Sequence, residues 1–429
     1  MTIGIGLLGL GTVGAGVAEI LLNPQGRHPL VGQLALKRVA VRDLSRPRPV
    51  ELPAEILCTD PQQVVNDPAV DIVVEVMGGL EPARSLILRA IAAGKAVVTA
   101  NKAVIARYGE EIAAAAAERG VYVLIEAAVG GGIPIIEPLK QSLGGNRIQR
   151  VSGIINGTTN YILSRMADEG AAYGAVLADA QRLGYAEADP AADVQGGDAA
   201  DKIAILSGLA YGGAIARSAI PTEGIDRLDA RDVNYAAQLG YVVKLVATAQ
   251  FLGTDPDGTV QLDVRVNPTL LPKDHPLAGV HGVNNAILVE GDPVGRVMFY
   301  GPGAGAGPTA SAVVADILNI AGIREATGAA GGLDPLLAAG QWRPCRLVDP
   351  GLTLHRNYLR LQTGEVARAC DAIIAPLFPV SFAQFNCGSR GLRFLRQKHS
   401  PRMVECEGLL PASFFDGCRW IARSLIRKP

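Results

Sequence analysis

The run Ile3-Gly4-Ile5-Gly6-Leu7-Leu8, followed at once by Gly9-Leu10-Gly11-Thr12-Val13-Gly14, constrains this chain more than any other stretch. The apolar run has the length and continuity of a strand buried on both faces. Behind it the GxGxxG spacing opens a helix, with Val17, Ile20 and Leu21 at helical intervals. In that context the three glycines permit, in turn, a tight turn, close approach of backbone to a pyrophosphate, and close packing of helix on strand. The first turn of such a helix also offers free amides to phosphate charge.

Further apolar runs, Leu34 to Val41, Ile72 to Val76, Ala96 to Thr99 and Val121 to Ile125, read as strands, and helical patterns over Ala83 to Ala93 and Glu110 to Arg119 lie between them. Strand and helix in alternation predict an α/β fold, a Rossmann-type doubly wound parallel sheet over residues 1–137. Ligands of such sheets sit beyond the carboxyl ends of the strands, so residues 9–14, 42–45, 77–81, 99–103 and 126–133 are where chemistry is expected. From residue 138 to 300 the pattern changes. Helical stretches (Thr159 to Ala167, Tyr173 to Leu183, Asp198 to Tyr211, Val233 to Leu252) mix with strands (Ile148 to Ile155, Val260 to Asn267, Ala286 to Glu290, Val297 to Tyr300), which predicts a second, α+β substrate domain. A helix over Ser311 to Ile320, behind the glycine-rich loop 301–307, is expected to return to the nucleotide domain.

The chain has 429 residues, enough for two or three domains of ~150 residues each. With 40 basic and 41 acidic residues it carries a net charge of −1, which excludes a general electrostatic grip on nucleic acid or an anionic membrane. Small molecules or other protein chains are the expected partners. The first 26 residues carry no Lys or Arg, so no secretory n-region precedes the apolar run. The long uncharged stretch Val297 to Ala315 is broken by four glycines and two prolines. A soluble, cytoplasmic protein is expected. The five histidines have no metal-ligand spacing, with one another or with Cys.

Several segments together resemble homoserine dehydrogenases: the GxGxxG run, Thr99-Ala100-Asn101-Lys102-Ala103, Glu126 to Pro134, Asn156-Gly157-Thr158-Thr159-Asn160-Tyr161-Ile162-Leu163, Gly184 to Lys202, and Gly301-Pro302-Gly303-Ala304-Gly305 with Pro308-Thr309-Ala310-Ser311. The order holds through about residue 363. Asp198 and Lys202 are four apart on an expected helix and share a face. Most such pairs are solvated surface pairs contributing about a few tenths of a kcal/mol. Reducing an aldehyde needs a proton donor for the developing alkoxide, and a zwitterionic substrate needs carboxylates for its ammonium. The resemblance implies that Lys202 is the acid/base, that Glu187 and Asp198 hold the amino group of L-homoserine or L-aspartate 4-semialdehyde, and that Lys102 borders both substrate and cofactor. A second ammonium beside Lys202 would favour its basic form, and Lys102 is the candidate.

The resemblance further implies a nicotinamide cofactor against Gly9, Leu10, Gly11, Thr12, Val13, Gly14, Thr99, Lys102 and Gly303. It also implies a monovalent cation such as sodium on the main-chain oxygens of Glu126, Val129, Gly131 and Ile133, and a homodimer, with the α+β domain over residues 138–300 as the catalytic and dimerisation domain. Arg42, at the end of the second strand, favours the 2′-phosphate of NADP, while Asp43 beside it leaves NAD open. Another amino-acid dehydrogenase, of the aspartate type, would not need both lysines. A nucleotide-binding sensor without turnover would not need a proton donor. Cys58 is not placed as a nucleophile, against thioester chemistry, and no kinase-like segment is expected ahead of Gly9.

Residues 321–352 read as a linker. His355 to Thr363 looks like the first strand of a small regulatory ACT domain, after which the resemblance stops. The remainder, within a 353–429 tail, holds six of the eight Phe and four of the six Cys. A diverged regulatory domain, a tail that pairs subunits, and a tail translated in an altered frame all fit, and the abrupt change in composition favours the last.

Overall fold

The strands β1 (Ile3–Leu8), β2 (Leu34–Ala40), β3 (Leu57–Cys58), β4 (Ile72–Glu75), β5 (Ala96–Thr99) and β6 (Val123–Leu124) form a sheet of order β3-β2-β1-β4-β5-β6 in which every neighbouring pair is parallel. This is the strand order of the dinucleotide-binding doubly wound fold. The computed structural model describes residues 2–327 and 345–349, together with short strands at 356–359, 386–388, 391–393 and 422–425. Ile5, Leu7, Val73, Val74, Val97 and Val98 are fully buried, as strands covered on both faces must be. The helices α1 (Thr12–Leu22), α2 (Pro61–Asn66), α3 (Ala83–Ala92) and α4 (Lys102–Arg119) provide the crossovers. The helix expected from Glu110 begins eight residues earlier, because Asn101 caps it by accepting from the Val104 N–H. A break at Tyr108 (φ −127°, ψ 15°) divides α4 into two halves.

The second domain is built on a mixed sheet. Its elements in chain order are β7 (Arg147–Ile154), α5 (Gly157–Glu169), α6 (Tyr173–Arg182), α7 (Ala191–Val194), α8 (Gly197–Tyr211), α9 (Ala230–Gln238), β8 (Tyr241–Thr254), β9 (Val260–Pro272), β10 (Asn284–Asp292) and β11 (Gly295–Pro302). Neighbours β11-β10-β7-β8-β9 are all antiparallel. The single helix expected over Val233 to Leu252 is not found. Helical periodicity holds only to Leu239, Gly240 turns the chain at φ +86°, and β8 then pairs along its whole length with β9. Val242, Val243, Val246 and Thr248 are β-branched and suit that strand. Ala247, Ala249 and Gln250 among them are residue types that favour a helix.

The helix α10 (Ala306–Thr327) is long and apolar enough to cross a membrane by length and composition. Its Ala310, Val313, Ile317 and Ile320 are instead fully buried in one core with Ile5, Val17 and Val98 of the nucleotide domain. The segments read as a 321–352 linker and a 353–429 tail lie largely outside the described residues. Where they are described, α10 runs to Thr327, β12 (Cys345–Leu347) lies parallel to β9, and β13 (Arg356–Leu359) joins β9 through a later strand. The strands β14 (Asn386–Gly388) and β15 (Gly391–Arg393) pair with each other, and that later strand is β16 (Ala422–Leu425).

Lys244 on β8 is 1% exposed, and its Nζ donates to Asn160 Oδ1 (2.9 Å), Ser164 Oγ (3.3 Å) and the Val280 carbonyl (2.6 Å). Burial pulls its pKa down to about 8. Between about pH 8 and the ordinary lysine value of ~10.4, the unfolded chain therefore binds the extra proton, so this group adds stability as pH rises through that window. The melting temperature of the native chain is expected to gain on that of Lys244→Met between pH 7.5 and 10; a constant gap would refute the assignment.

Candidate active site

The glycine turn after β1 is shaped for a dinucleotide. Gly9 has φ +106°, and a Cβ on Gly14 would lie 2.2 Å from the Gly9 carbonyl oxygen, whereas one on Gly11 would meet nothing within 4 Å. The close approach that GxGxxG permits is thus open at Gly11 and filled by helix–strand packing at Gly14. Leu10 is buried and Thr12 exposed, and α1 has no side-chain cap, so its first amides remain available. Just past the end of β2, Arg42 is exposed, while Asp43 Oδ1 accepts from the N–H (2.8 Å) and hydroxyl (2.7 Å) of Ser45.

Thr99 is fully buried. Its hydroxyl donates to Glu75 Oε2 (2.7 Å) and accepts from the Asn101 N–H (3.0 Å), so only its main chain remains for a cofactor. Glu75, also fully buried, takes the N–H of Met77 on its other oxygen (2.8 Å). This network fixes the ends of β4 and β5 and sets the start of α4, where Lys102 stands.

Lys102, Asp198 and Lys202 are brought together where α4 meets α8. Asp198 Oδ1 lies 3.0 Å from Lys102 Nζ, and its Oδ2 lies 2.7 Å from Lys202 Nζ. Lys202 also donates to the Ile155 carbonyl (2.7 Å). Two of its three N–H donors are thereby used. Burial alone would raise the Asp198 carboxyl, but the ammonium groups of Lys202 and Lys102 outweigh it and hold the group well below the usual carboxylate range. The same contact raises the pKa of Lys102 against the opposing effect of its burial. The two lysines stand on either side of the one carboxylate.

Asn156, which in the sequence stands out only as part of a motif, organises this cluster. As N-cap of α5 its Oδ1 accepts from the Thr159 N–H (2.9 Å), while its Nδ2 donates to Asp198 Oδ2 (3.0 Å) and to Asp193 Oδ1 (2.7 Å). Asp193, on α7, is a site residue that sequence reasoning misses. Burial, with the nearby Asp198 charge adding, pushes its carboxyl up. Its position five residues before Asp198, in a segment already dense in carboxylates, is the signal that could have found it. Glu187 is not drawn into the cluster: it is exposed on the loop after α6, with its carbonyl accepting from Gln181 Nε2 (3.1 Å).

Glu126 opens a buried turn behind the site. Its carboxylate accepts the N–H groups of Ile135 (2.6 Å), Ile136 (2.8 Å) and Glu137 (2.9 Å), and its own N–H donates to Asp316 Oδ2 on α10 (2.8 Å). Burial pushes both carboxyls up, Asp316 well above its ordinary value. Gly130 (φ +76°) and Gly131 (φ +58°) curl the following loop. Among the described residues, no backbone N–H closes on the carbonyls of Val129, Gly131 or Ile133. Gly303 abuts this loop, since a Cβ on Gly131 would lie 2.4 Å from its carbonyl oxygen. No group of three or more His, Cys, Asp or Glu side chains among the described residues could hold a metal.

The two halves of the fold match two family models, homoserine dehydrogenase, NAD binding domain over residues 9–126 and homoserine dehydrogenase over residues 134–318. A homoserine dehydrogenase of Synechocystis sp. is 59% identical over 418 residues, 97% of this chain and 91% of that protein, which carries the likeness past Thr363. A crystal structure of a homoserine dehydrogenase from Thiobacillus denitrificans superposes with a TM-score of 0.78 at 43% identity, covering 88% of this chain and 87% of that one. A hyperthermophilic archaeal homoserine dehydrogenase, solved in complex with NADPH, gives 0.62 at 30% identity over 74% of this chain and 97% of its own. With both halves matched by models of one family and identity this high along nearly the whole length, the chain belongs to the homoserine dehydrogenase family.

Proposed function

We propose that this oxidoreductase reversibly reduces L-aspartate 4-semialdehyde to L-homoserine, on the route to threonine, methionine and isoleucine, with NADP as its preferred cofactor. The observation that carries the reading is Lys202: buried, tied to Asp198 and the Ile155 carbonyl, with one N–H donor unspent. When bound, the nicotinamide supplies hydride to C4 of the semialdehyde or accepts it from homoserine. Lys202 gives its proton to the C4 oxygen as negative charge develops there, and takes it back in the reverse direction. Asp198 orients Lys202, and with Asp193 and with Glu187 from the exposed loop after α6 it offers carboxylate oxygens to the substrate ammonium. Lys102, kept protonated by Asp198, faces the junction of substrate and cofactor.

Lys202→Ala is expected to lower turnover about 10²–10⁴-fold in both directions, followed by nicotinamide absorbance, while NADPH still binds by fluorescence. Near-normal turnover in the variant would remove Lys202 from its role. No turnover of either substrate by the native chain would favour an aspartate-type dehydrogenase or a nucleotide-binding sensor.

The preference for NADP is supported by the pairing of Asp43 with Ser45, which leaves the exposed Arg42 for a 2′-phosphate. Arg42→Ala is expected to raise KM for NADPH about tenfold, on the scale of a lost charge-assisted contact, and to leave KM for NADH nearly unchanged. Equal effects on both would reject this specificity role. A monovalent cation such as sodium would take the main-chain oxygens of Glu126, Val129, Gly131 and Ile133, a reading supported by the last three, which accept no backbone N–H among the described residues. Sodium is expected to raise the melting temperature relative to an equal concentration of a bulky organic cation. A cytoplasmic homodimer completes the reading, supported by Met298 and Tyr300, which are exposed on the edge strand β11.

A further inference from the structure

Asp201 lies one helical turn beyond Asp198 on α8 and is 7% exposed, yet it belongs to no part of the chemistry above. Its Oδ1 is 2.7 Å from Arg217 Nε, in the short turn Arg217–Ala219, and its Oδ2 is 3.2 Å from Arg107 Nη1 on α4. Arg217 also donates to the Gly197 carbonyl at the start of α8 (3.3 Å), and Arg107 to the Ala103 carbonyl within α4 (3.0 Å). The nucleotide domain supplies α4, and the second domain supplies α8 and the turn. The two helices are therefore joined by two ionic rungs, Lys102–Asp198 and Arg107–Asp201.

The first rung contains reacting and binding groups, and a substrate ammonium arriving at Asp198 must share that carboxylate with Lys102. The second contains none. Arg107 is also the residue immediately before the break in α4 at Tyr108, so the half-helix it anchors is the half that begins with Lys102. We propose that the Arg107–Asp201–Arg217 bridge is an inter-domain positioning device. It holds the first half of α4 in register with α8, so that Lys102 remains aligned with Asp198 and Lys202 when substrate loosens the first rung. The inference rests on the roles proposed above for those three residues.

Asp201→Asn keeps the shape and removes the charge. It is expected to lower kcat/KM for homoserine about tenfold, to leave NADPH binding by fluorescence unchanged, and to be largely rescued by Asp201→Glu. Because the bridge acts through Lys102, Asp201→Asn is expected to cost less than a further twofold in a Lys102→Met background. Arg107→Gln removes one arm at a more exposed position and should reproduce part of the loss if Asp201→Asn does not fold. Wild-type kinetics in Arg107→Gln and Asp201→Asn, or a full tenfold loss added to Lys102→Met, would overturn the proposal. Absence of homoserine turnover in the native chain would instead overturn the reading beneath it.

Discussion

A single buried carboxylate shared by two ammonium groups is the interaction on which the site depends. Asp198 is 9% exposed and Lys202 8%, and removing two charges from water costs several kcal/mol per ion unless each is paired and hydrogen-bonded. Here Lys102, Lys202, Asn156 and the Ile155 carbonyl provide those partners, drawn from α4, α8, α5 and the strand end before it. The cluster therefore forms only when both domains are in place. Removing one member leaves an uncompensated buried charge, which is why the surrounding elements are fixed so closely by caps and carbonyls.

The nucleotide domain is almost fully legible in the sequence. Continuous apolar strands, a glycine turn and helical spacing all agree, and local and global preferences coincide in such a sheet. The second domain is less so, because antiparallel strands there are half polar and long. Residues 241–254 include Lys244, Ala247, Ala249 and Gln250, residue types that favour a helix, set against β-branched Val and Thr. The β-branched residues of β8 point to strand, and the antiparallel pairing with β9 decides it.

Within the site, Lys102, Asp198 and Lys202 emerge from residue type, spacing and family resemblance, and the fold does bring them together. Glu187 and Asp193 divide differently: the resemblance names Glu187, and the fold places Asp193 in the cluster. Both are acidic and lie in the same short segment, and only the turn into α7 decides which is buried beside Asn156. Glu75 is invisible for another reason. A carboxylate at the end of an apolar strand looks like the residue where the strand meets solvent, whereas here Thr99 and the Met77 amide satisfy it out of reach of water. Hydrogen bonding of that kind is a property of neighbours, not of the residue.

The return of α10 to the first domain bears on how the chain acquires its structure. The N–H of Glu126 is held by a carboxylate 190 residues later, and Ala310, Val313, Ile317 and Ile320 fill the same core as the first strand and helix. During synthesis the nucleotide domain must wait, with part of its apolar surface uncovered, until the entire second domain has emerged. Non-local closure of this sort slows folding and lengthens the exposure of sticky intermediates. A domain that is first in sequence is thus among the last to be finished, and it cannot be cut out at residue 137 with its core intact.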